Sequence, residues 1–390
     1  MKKKIFVAVI LTAFISAALT IAGICMLFHI DANGAINLGR LISAMRFIED
    51  QYVNAVDRDK LVDGAISGMV RSLGDPHSIY LEPKLYSQLK ADTTGTFGGI
   101  GVYMSFKDNG VQILNVIPDG PGDKVGLMAG DSILAVNSQP IEEIGYDEVA
   151  LKIRGEVGTT VDLLIHREGE EDKTYTITRE VIKVQTVLSK MLDDKMGYIR
   201  IINFSESTGK EFKSALTELE SENMKGFILD LRQNPGGVIT SCVEVAREIV
   251  PKGPIVSMIQ RDGTKEVYNS DLEQTKFPIV VLLDQNSASA AELLAGALQD
   301  TKAAVIVGTK SYGKGSVQTL ISMLRDDGLK LTIAKYYTPN GRSIDGVGIV
   351  PDFEVKLENP LMMTRELNTD ADNDAQLRKA EEILTQEISN

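Results

Sequence analysis

At 390 residues the chain is too long for one ordinary domain. Hydrophobic residues make up 43% and charged residues 24%, the balance of a globular chain with a sizeable core. The net charge of −13, with no basic stripe beyond Lys2 to Lys4, argues against nucleic acid as a partner.

Lys2 to Lys4 precede an apolar stretch from Ile5 to Phe28, roughly 36 Å long as a helix and enough to cross a bilayer. A secretory leader is shorter and ends in a small-x-small site; Ile24 before Cys25 also argues against lipidation. The stretch is read as an uncleaved signal anchor, which leaves the lysines in the cytoplasm and residues 30 to 390 outside, on a single-pass cell-membrane protein. Apolar residues at helical spacing predict helices over Leu38 to Tyr52 and Lys60 to Leu73, and Glu82-Pro83 opens a third. From Thr93 to about Arg179 short β-like runs alternate with Gly and Pro: 99–104, 111–116, 131–137 and 160–165, with one helix over Tyr146 to Ile153. From Met196 the rhythm is strand, helix, strand: strands at 196–202, 226–231, 279–283 and 304–307, helices at 207–223, 239–250 and 290–300. That order predicts an α/β layered domain. A last amphipathic helix covers Asp374 to Gln386.

Gly308 to Lys314 reads G-x-x-x-x-G-K, the opening of a phosphate loop. That motif needs Ser or Thr after the lysine and then a helix, whereas Gly315 and a β-branched run, Ser316 to Ile321, follow here. Of three histidines, His29, His77 and His166, none lies beyond residue 166. A Ser-His or Cys-His pair, or a histidine zinc site, within the α/β domain is therefore excluded unless another region lends the histidine. Cys25 and Cys242 form no disulfide framework, and Cys242 reads as a small buried apolar residue.

Lysine remains as a base for serine, because burial in an apolar pocket can make a lysine neutral. Lys314, between Gly313 and Gly315, is one candidate; a solvated turn lysine is the plain alternative. Ser289 joins an apolar strand to an apolar helix, and Ser289-Ala290-Ala291-Glu292 also fits a capping box. A helix start offers N–H groups to an oxyanion as well. Asp230 to Gly237 ends an apolar strand in an acid, an arginine and two glycines, either an ordinary turn or a site at a strand's carboxyl end. Gly98-Gly99-Ile100-Gly101-Val102 lacks the dinucleotide fingerprint and suits a turn that receives a peptide carboxylate, the peptide adding as a strand.

Taken together these motifs resemble the C-terminal processing peptidases, family S41, membrane-anchored or secreted serine peptidases with an embedded PDZ domain. The resemblance covers about residues 35 to 390. It rests on Leu61 to Ala65 with Ser72 to Pro76, on Gly98 to Gly101 with Ala129-Gly130-Asp131, and on Asp230 to Arg232 with Asn234 to Gly237. Ser287 to Glu292, Tyr312 to Gln318 and Tyr337 to Ile344 complete it. It implies Ser289 as nucleophile, Lys314 as general base, and Gln318, four residues on, as the group that orients the lysine. The N–H of Ala290 and that of Gly236 or Gly237 would form the oxyanion hole. Ala291 departs from the family, which often has a third small hydroxyl residue there.

The resemblance further implies a crotonase-like α/β core over 182–357 with a PDZ domain over 92–181. A helical region at 31–91 suits dimerisation, and a helical tail follows at 358–390. Arg154 falls where related enzymes carry an arginine that couples PDZ ligand binding to the active site. No cofactor or metal is implied. Expected partners are protein substrates with apolar C-termini, a second copy of the chain, and an activating protein. A catalytically silent PDZ scaffold, or an esterase using the same pair of residues, stands as the alternative.

Overall fold

The computed structural model describes residues 31–357 except 108–109 and 145, positions 367 and 371, residues 373–389, and scattered positions between 11 and 26. The anchor expected over Ile5 to Phe28 lies largely outside them. Among the described residues no helix is long and apolar enough to cross a membrane. The chain divides into two compact units, one ending at Tyr80 and one beginning at Leu81.

The first unit carries helices α1 (Ala32–Gln51) and α2 (Arg58–Arg71). Each starts at an aspartate: Asp31 accepts from the N–H of Gly34, and Asp57 from those of Asp59 and Lys60. These bonds satisfy donors that a helix cannot pair internally.

The second unit opens with α3 (Pro83–Thr94), proline in its first turn and left-handed Gly95 at its end. Then come β1 (Thr96–Gly99), β2 (Val102–Lys107), β3 (Gly110–Val116), β4 (Ser132–Val136), α4 (Tyr146–Ile153), β5 (Thr160–His166), β6 (Lys173–Thr178) and β7 (Glu180–Lys183). Strands β2-β3-β4-β5-β6 form an antiparallel sheet around Ile113, Ile133, Val149, Leu163 and Ile177, while β1 and β7 make a separate ribbon. The single strand expected over 99–104 is therefore two. Gly101 has φ 74, and the Ile100 and Gly101 carbonyls accept from Gly122 and Ile117, which turns the chain between two different sheets.

Next follow β8 (Val187–Met191), β9 (Met196–Ile201), α5 (Thr208–Ser221), β10 (Gly226–Asp230), α6 (Ile239–Ile249), β11 (Gly253–Gln260), β12 (Lys265–Ser270) and β13 (Ile279–Leu283). The chain continues through α7 (Ala290–Asp300), β14 (Val305–Gly308), β15 (Ser316–Ser322), β16 (Gly328–Tyr337), β17 (Phe353–Glu354) and α8 (Ala375–Ser389). The central sheet runs β8-β9-β10-β13-β14-β17, antiparallel only at β8 and β9. Strands β9, β10 and β13 are buried throughout, because both faces are covered. Ile199, Leu229 and Val281 pack against helices α5, α6 and α7; the alternate residues Tyr198, Ile228 and Val280 pack against Leu377, Ala380 and Leu384 of α8.

The sequence reading did not predict β11, β12 and β16, which pair antiparallel as β12-β11-β16, with β15 hairpinned onto β16. Their residues are mostly half-buried or exposed and include Lys265, Glu266, Lys330 and Lys335, so no buried stripe announces them.

Candidate active site

Ser289 sits where β13 turns into α7. The turn is sewn to the neighbouring strand end: Ser287 Oγ accepts from the Asp284 N–H (3.0 Å) and donates to the Leu231 carbonyl (2.8 Å), and the Ala288 N–H donates to the Asn234 carbonyl (2.9 Å). Ser289 itself has φ 56 and ψ −117, outside the ordinary regions for a side-chain-bearing residue. Such a conformation costs of order 1–3 kcal/mol and persists only where the surroundings impose it. The side chain is largely buried, and the N-terminus of an eleven-residue helix lies directly behind it.

Glu292 imposes that conformation. Its carboxylate is fully buried, and Oε2 accepts from the Ser289 N–H (2.8 Å), the carboxylate half of the capping box. The same Oε2 accepts from the Lys314 N–H (2.9 Å), while Oε1 accepts from Ser311 Oγ (2.5 Å) and the Gly313 N–H (2.6 Å). One carboxylate thus holds the backbones of Ser289 and Lys314 together. Capping geometry foretells the first bond; the others join residues some twenty positions apart, and helical spacing carries no signal for them.

The lysine loop stacks against residues 343–349 through glycines. The Gly346 N–H donates to the Gly313 carbonyl (2.8 Å), and a Cβ on Gly315 would lie 2.6 Å from that of Asp345. Beyond Lys314, which is half-buried, the chain enters β15 as a strand, so no phosphate loop is formed. Gln318 stands on that strand, its amide donated to Ser316 Oγ (2.8 Å) and Thr332 Oγ1 (3.2 Å).

The two candidate oxyanion glycines differ. The Gly236 N–H is already donated to Asn234 Oδ1 (2.8 Å), and the residue faces the serine so closely that a Cβ would fall 2.7 Å from Ser289 Cβ and 2.9 Å from the Ala290 nitrogen. Gly237 is exposed, and its flanking groups bridge to Phe204. Ala290 lies in the first turn of α7, where N–H groups lack helical partners.

Behind this loop Arg232, almost wholly buried, pairs with Asp230 (2.6 Å) and Asp374 (2.7 Å), and Tyr198 donates to Asp230 (2.5 Å). Burial works to raise the Asp230 pKa, but the Arg232 charge and its hydrogen bonds outweigh it and hold the carboxyl below its usual range. The stabilisation is therefore complete above the ordinary carboxylate range, near pH 4, and is lost as pH falls through the lowered value. Asp230→Asn is expected to cost about 3–5 kcal/mol at neutral pH and to flatten the acid limb of the stability curve. Denaturant titrations from pH 7 to pH 2 check this, and an unchanged acid limb would remove Asp230 from the account.

Tyr336 is a site residue that sequence reasoning missed. It is 1% exposed, and its phenol donates to the Lys314 carbonyl. Burial pushes its ionisation well up. Cys242 is buried beneath, its Sγ against the Ala290 carbonyl (3.2 Å), and burial pushes its thiol up too, leaving it unreactive.

In the β-rich segment β2 stands at the end of the sheet order, pairing with β3. Gly98 and Gly99 belong to the β1–β7 ribbon, Ile100 is core, and Gly101 turns into Val102 at the start of β2. A Cβ on Gly98 would meet the Gly155 carbonyl at 2.0 Å, which ties the ribbon to the end of α4. Arg154, exposed, stacks on Phe97 with its guanidinium 4.3 Å from the ring centroid. Arg179 is buried and donates to the carbonyls of Lys152 and Ile153, closing the C-terminus of α4. Among the described residues no cluster of three or more His, Cys, Asp or Glu is disposed to hold a metal.

Residues 195–355 match peptidase family S41, residues 87–166 match the PDZ domain, and residues 29–84 match the activating protease CtpB N-terminal domain. The chain is 38% identical over 357 residues to the carboxy-terminal-processing protease of Bartonella bacilliformis, covering 89% of this chain and 81% of that one. It is 37% identical over 366 residues to the carboxy-terminal processing protease CtpA of Bacillus subtilis, covering 92% and 78%. Among solved structures, a photosystem II D1 C-terminal processing protease aligns over 82% of this chain and 92% of its own, with a TM-score of 0.49 at 28% identity. Identity at this level, across the peptidase and PDZ segments alike, places the chain in the carboxy-terminal processing protease family, as a serine peptidase of family S41.

Proposed function

We propose that this protein is a membrane-anchored, extracytoplasmic endopeptidase that captures the apolar C-terminus of protein substrates on its PDZ domain and cleaves with a Ser289–Lys314 dyad. The observation that carries the dyad is the Glu292 carboxylate, which holds the backbones of both residues on one oxygen. Neutral Lys314 takes the Ser289 proton, Oγ attacks the peptide carbonyl, and the N–H groups of Ala290 and Gly237 receive the oxyanion. Gly237 is preferred to Gly236 because the N–H of Gly236 is donated to Asn234. Lys314 then protonates the leaving amine, an acyl-enzyme forms, and water completes hydrolysis. Gln318 orients the lysine.

The substrate carboxylate docks at Gly98 to Val102, and its chain adds along the edge of β2. Arg154, on Phe97 at the ribbon, is read as the residue through which docking reaches the peptidase core, a crotonase-like layer fold. The helical segment preceding the PDZ domain supports dimerisation, and its match to an activating-protease domain favours an activating partner. The apolar run from Ile5 to Phe28 supports the anchor.

The test is proteolysis by the full chain of an unstructured protein ending in an apolar free carboxylate, against the same protein amidated. Ser289→Ala and Lys314→Ala are expected to lower cleavage by about 10³-fold or more, and amidation to weaken it in the parent. Carboxylate-dependent binding with no cleavage under any condition would instead favour a peptide-binding scaffold.

A further inference from the structure

Three successive main-chain N–H groups of the lysine loop end on carboxylates. Glu292 takes those of Gly313 (2.6 Å) and Lys314 (2.9 Å), and Asp345 Oδ1 takes that of Gly315 (3.3 Å). Asp345 lies flush on the loop there, since a Cβ on Gly315 would fall 2.6 Å from both the nitrogen and the Cβ of Asp345. Its other oxygen, Oδ2, faces Lys335 Nζ (3.3 Å), and Lys335 stands on β16 opposite Ser316 of β15. The carboxylate therefore joins the far end of the loop to the strand that carries Tyr336.

An anion in this place works against the base. Lys314 must be neutral to accept the serine proton, and negative charge nearby favours its charged form. Around the dyad stand Glu292 from α7, Asp284 from the turn after β13, Cys242 from α6, Tyr336 and Lys335 from β16, and Asp345 from its own turn; the loop itself adds Lys310 and Tyr312, both exposed. Burial keeps Tyr336 and Cys242 uncharged. Asp284 accepts from the N–H groups of Gln233 and Asn286. Asp345 adds its negative charge directly beside Gly315, and Lys335 is the cation set against it.

We propose that Asp345 and Lys335 form a positioning pair for the general base: the carboxylate fixes the far end of the lysine loop, and the ammonium cancels the charge that would otherwise favour a protonated Lys314. The inference rests on the Ser289–Lys314 reading above. Neither residue takes part in proton transfer. The two side chains are 35% and 59% exposed, and such a pair adds little to stability, so its effect is read in a pH profile and not in the thermal midpoint.

In the full chain, Asp345→Asn retains an acceptor for the Gly315 N–H but leaves Lys335 unopposed. An unopposed cation favours neutral Lys314, so the acid limb of kcat/KM is expected to move to lower pH by about 0.3–1 unit. Lys335→Met leaves the carboxylate unopposed and should move the same limb to higher pH by a similar amount. The double variant should return the limb to within about 0.2 unit of the parent, and salt at about 1 M should shrink both shifts. Asp345→Ala also frees the Gly315 N–H and should lower kcat at the optimum by about 10-fold. Ser289→Ala and Lys314→Ala are run beside these. If those two are inactive and Asp345→Asn and Lys335→Met both keep the parent's limb, or move it the same way, this inference fails alone. If either dyad variant cleaves normally, the dyad reading falls and the role of the pair falls with it. Should Asp345→Ala not fold, the opposed shifts of the other two variants decide.

Discussion

Glu292→Ala is expected to abolish proteolysis and to lower stability by about 3–5 kcal/mol, a loss at the upper end for a single substitution. Removal of the carboxylate strands four donors, three of them backbone N–H groups at Ser289, Gly313 and Lys314. It also releases the constraint that keeps Ser289 at φ 56. Glu292→Gln separates geometry from charge. An amide keeps the volume, but its NH₂ group must face donors whichever way it is turned, since each carboxylate oxygen serves two of them. Activity should therefore fall by about 10²-fold with a smaller loss of stability. Denaturant unfolding paired with kcat on one substrate checks both variants. A glutamine enzyme with the parent's kcat would show that the clamp does not set the reacting geometry.

The second large effect is expected at Gly236, where alanine would bring a methyl group within 2.7 Å of both the Ala288 carbonyl and Ser289 Cβ, at a φ of +94. No flexible side-chain end is available to give way, since two of the three nearest atoms are backbone and the third is the nucleophile's own Cβ. Displacement of the serine turn by even about 1 Å costs on the order of 10²-fold in rate, and the left-handed conformation adds about 1–2 kcal/mol of strain. Gly236→Ala should thus fold with modestly reduced stability and fail in acylation. Fluorophosphonate labelling of Ser289, compared with the thermal midpoint, measures the two separately. Normal labelling would mean that the 234–237 loop moves aside and does not shape the site.

Apolar periodicity located the helices and buried strands of the central sheet, because a strand covered on both faces must be apolar throughout and a helix covered on one must repeat every three to four residues. It found neither β11, β12 nor β16, whose residues are largely half-buried or exposed and leave no such stripe. Strand β16 carries Tyr336, so the least legible part of the fold supplied the residue least visible in the sequence.

The sequence by itself determined the restriction on chemistry: no histidine follows residue 166, no phosphate loop survives Gly315, and Ser289 and Lys314 stand in motifs that together specify the peptidase family. These are matters of inventory and local spacing, which a linear chain displays in full. Only the tertiary structure decided that one carboxylate serves both Ser289 and Lys314, that the Gly236 N–H belongs to Asn234, that Arg232 ties the glycine loop to Asp374 ahead of the last helix, and that Tyr336 reaches Lys314. Most of these bonds join residues about twenty or more positions apart, and even the bond from Gly236 to Asn234 depends on how its turn is folded. They form where strand ends meet, and strand order and register, which no local spacing encodes, set which ends those are.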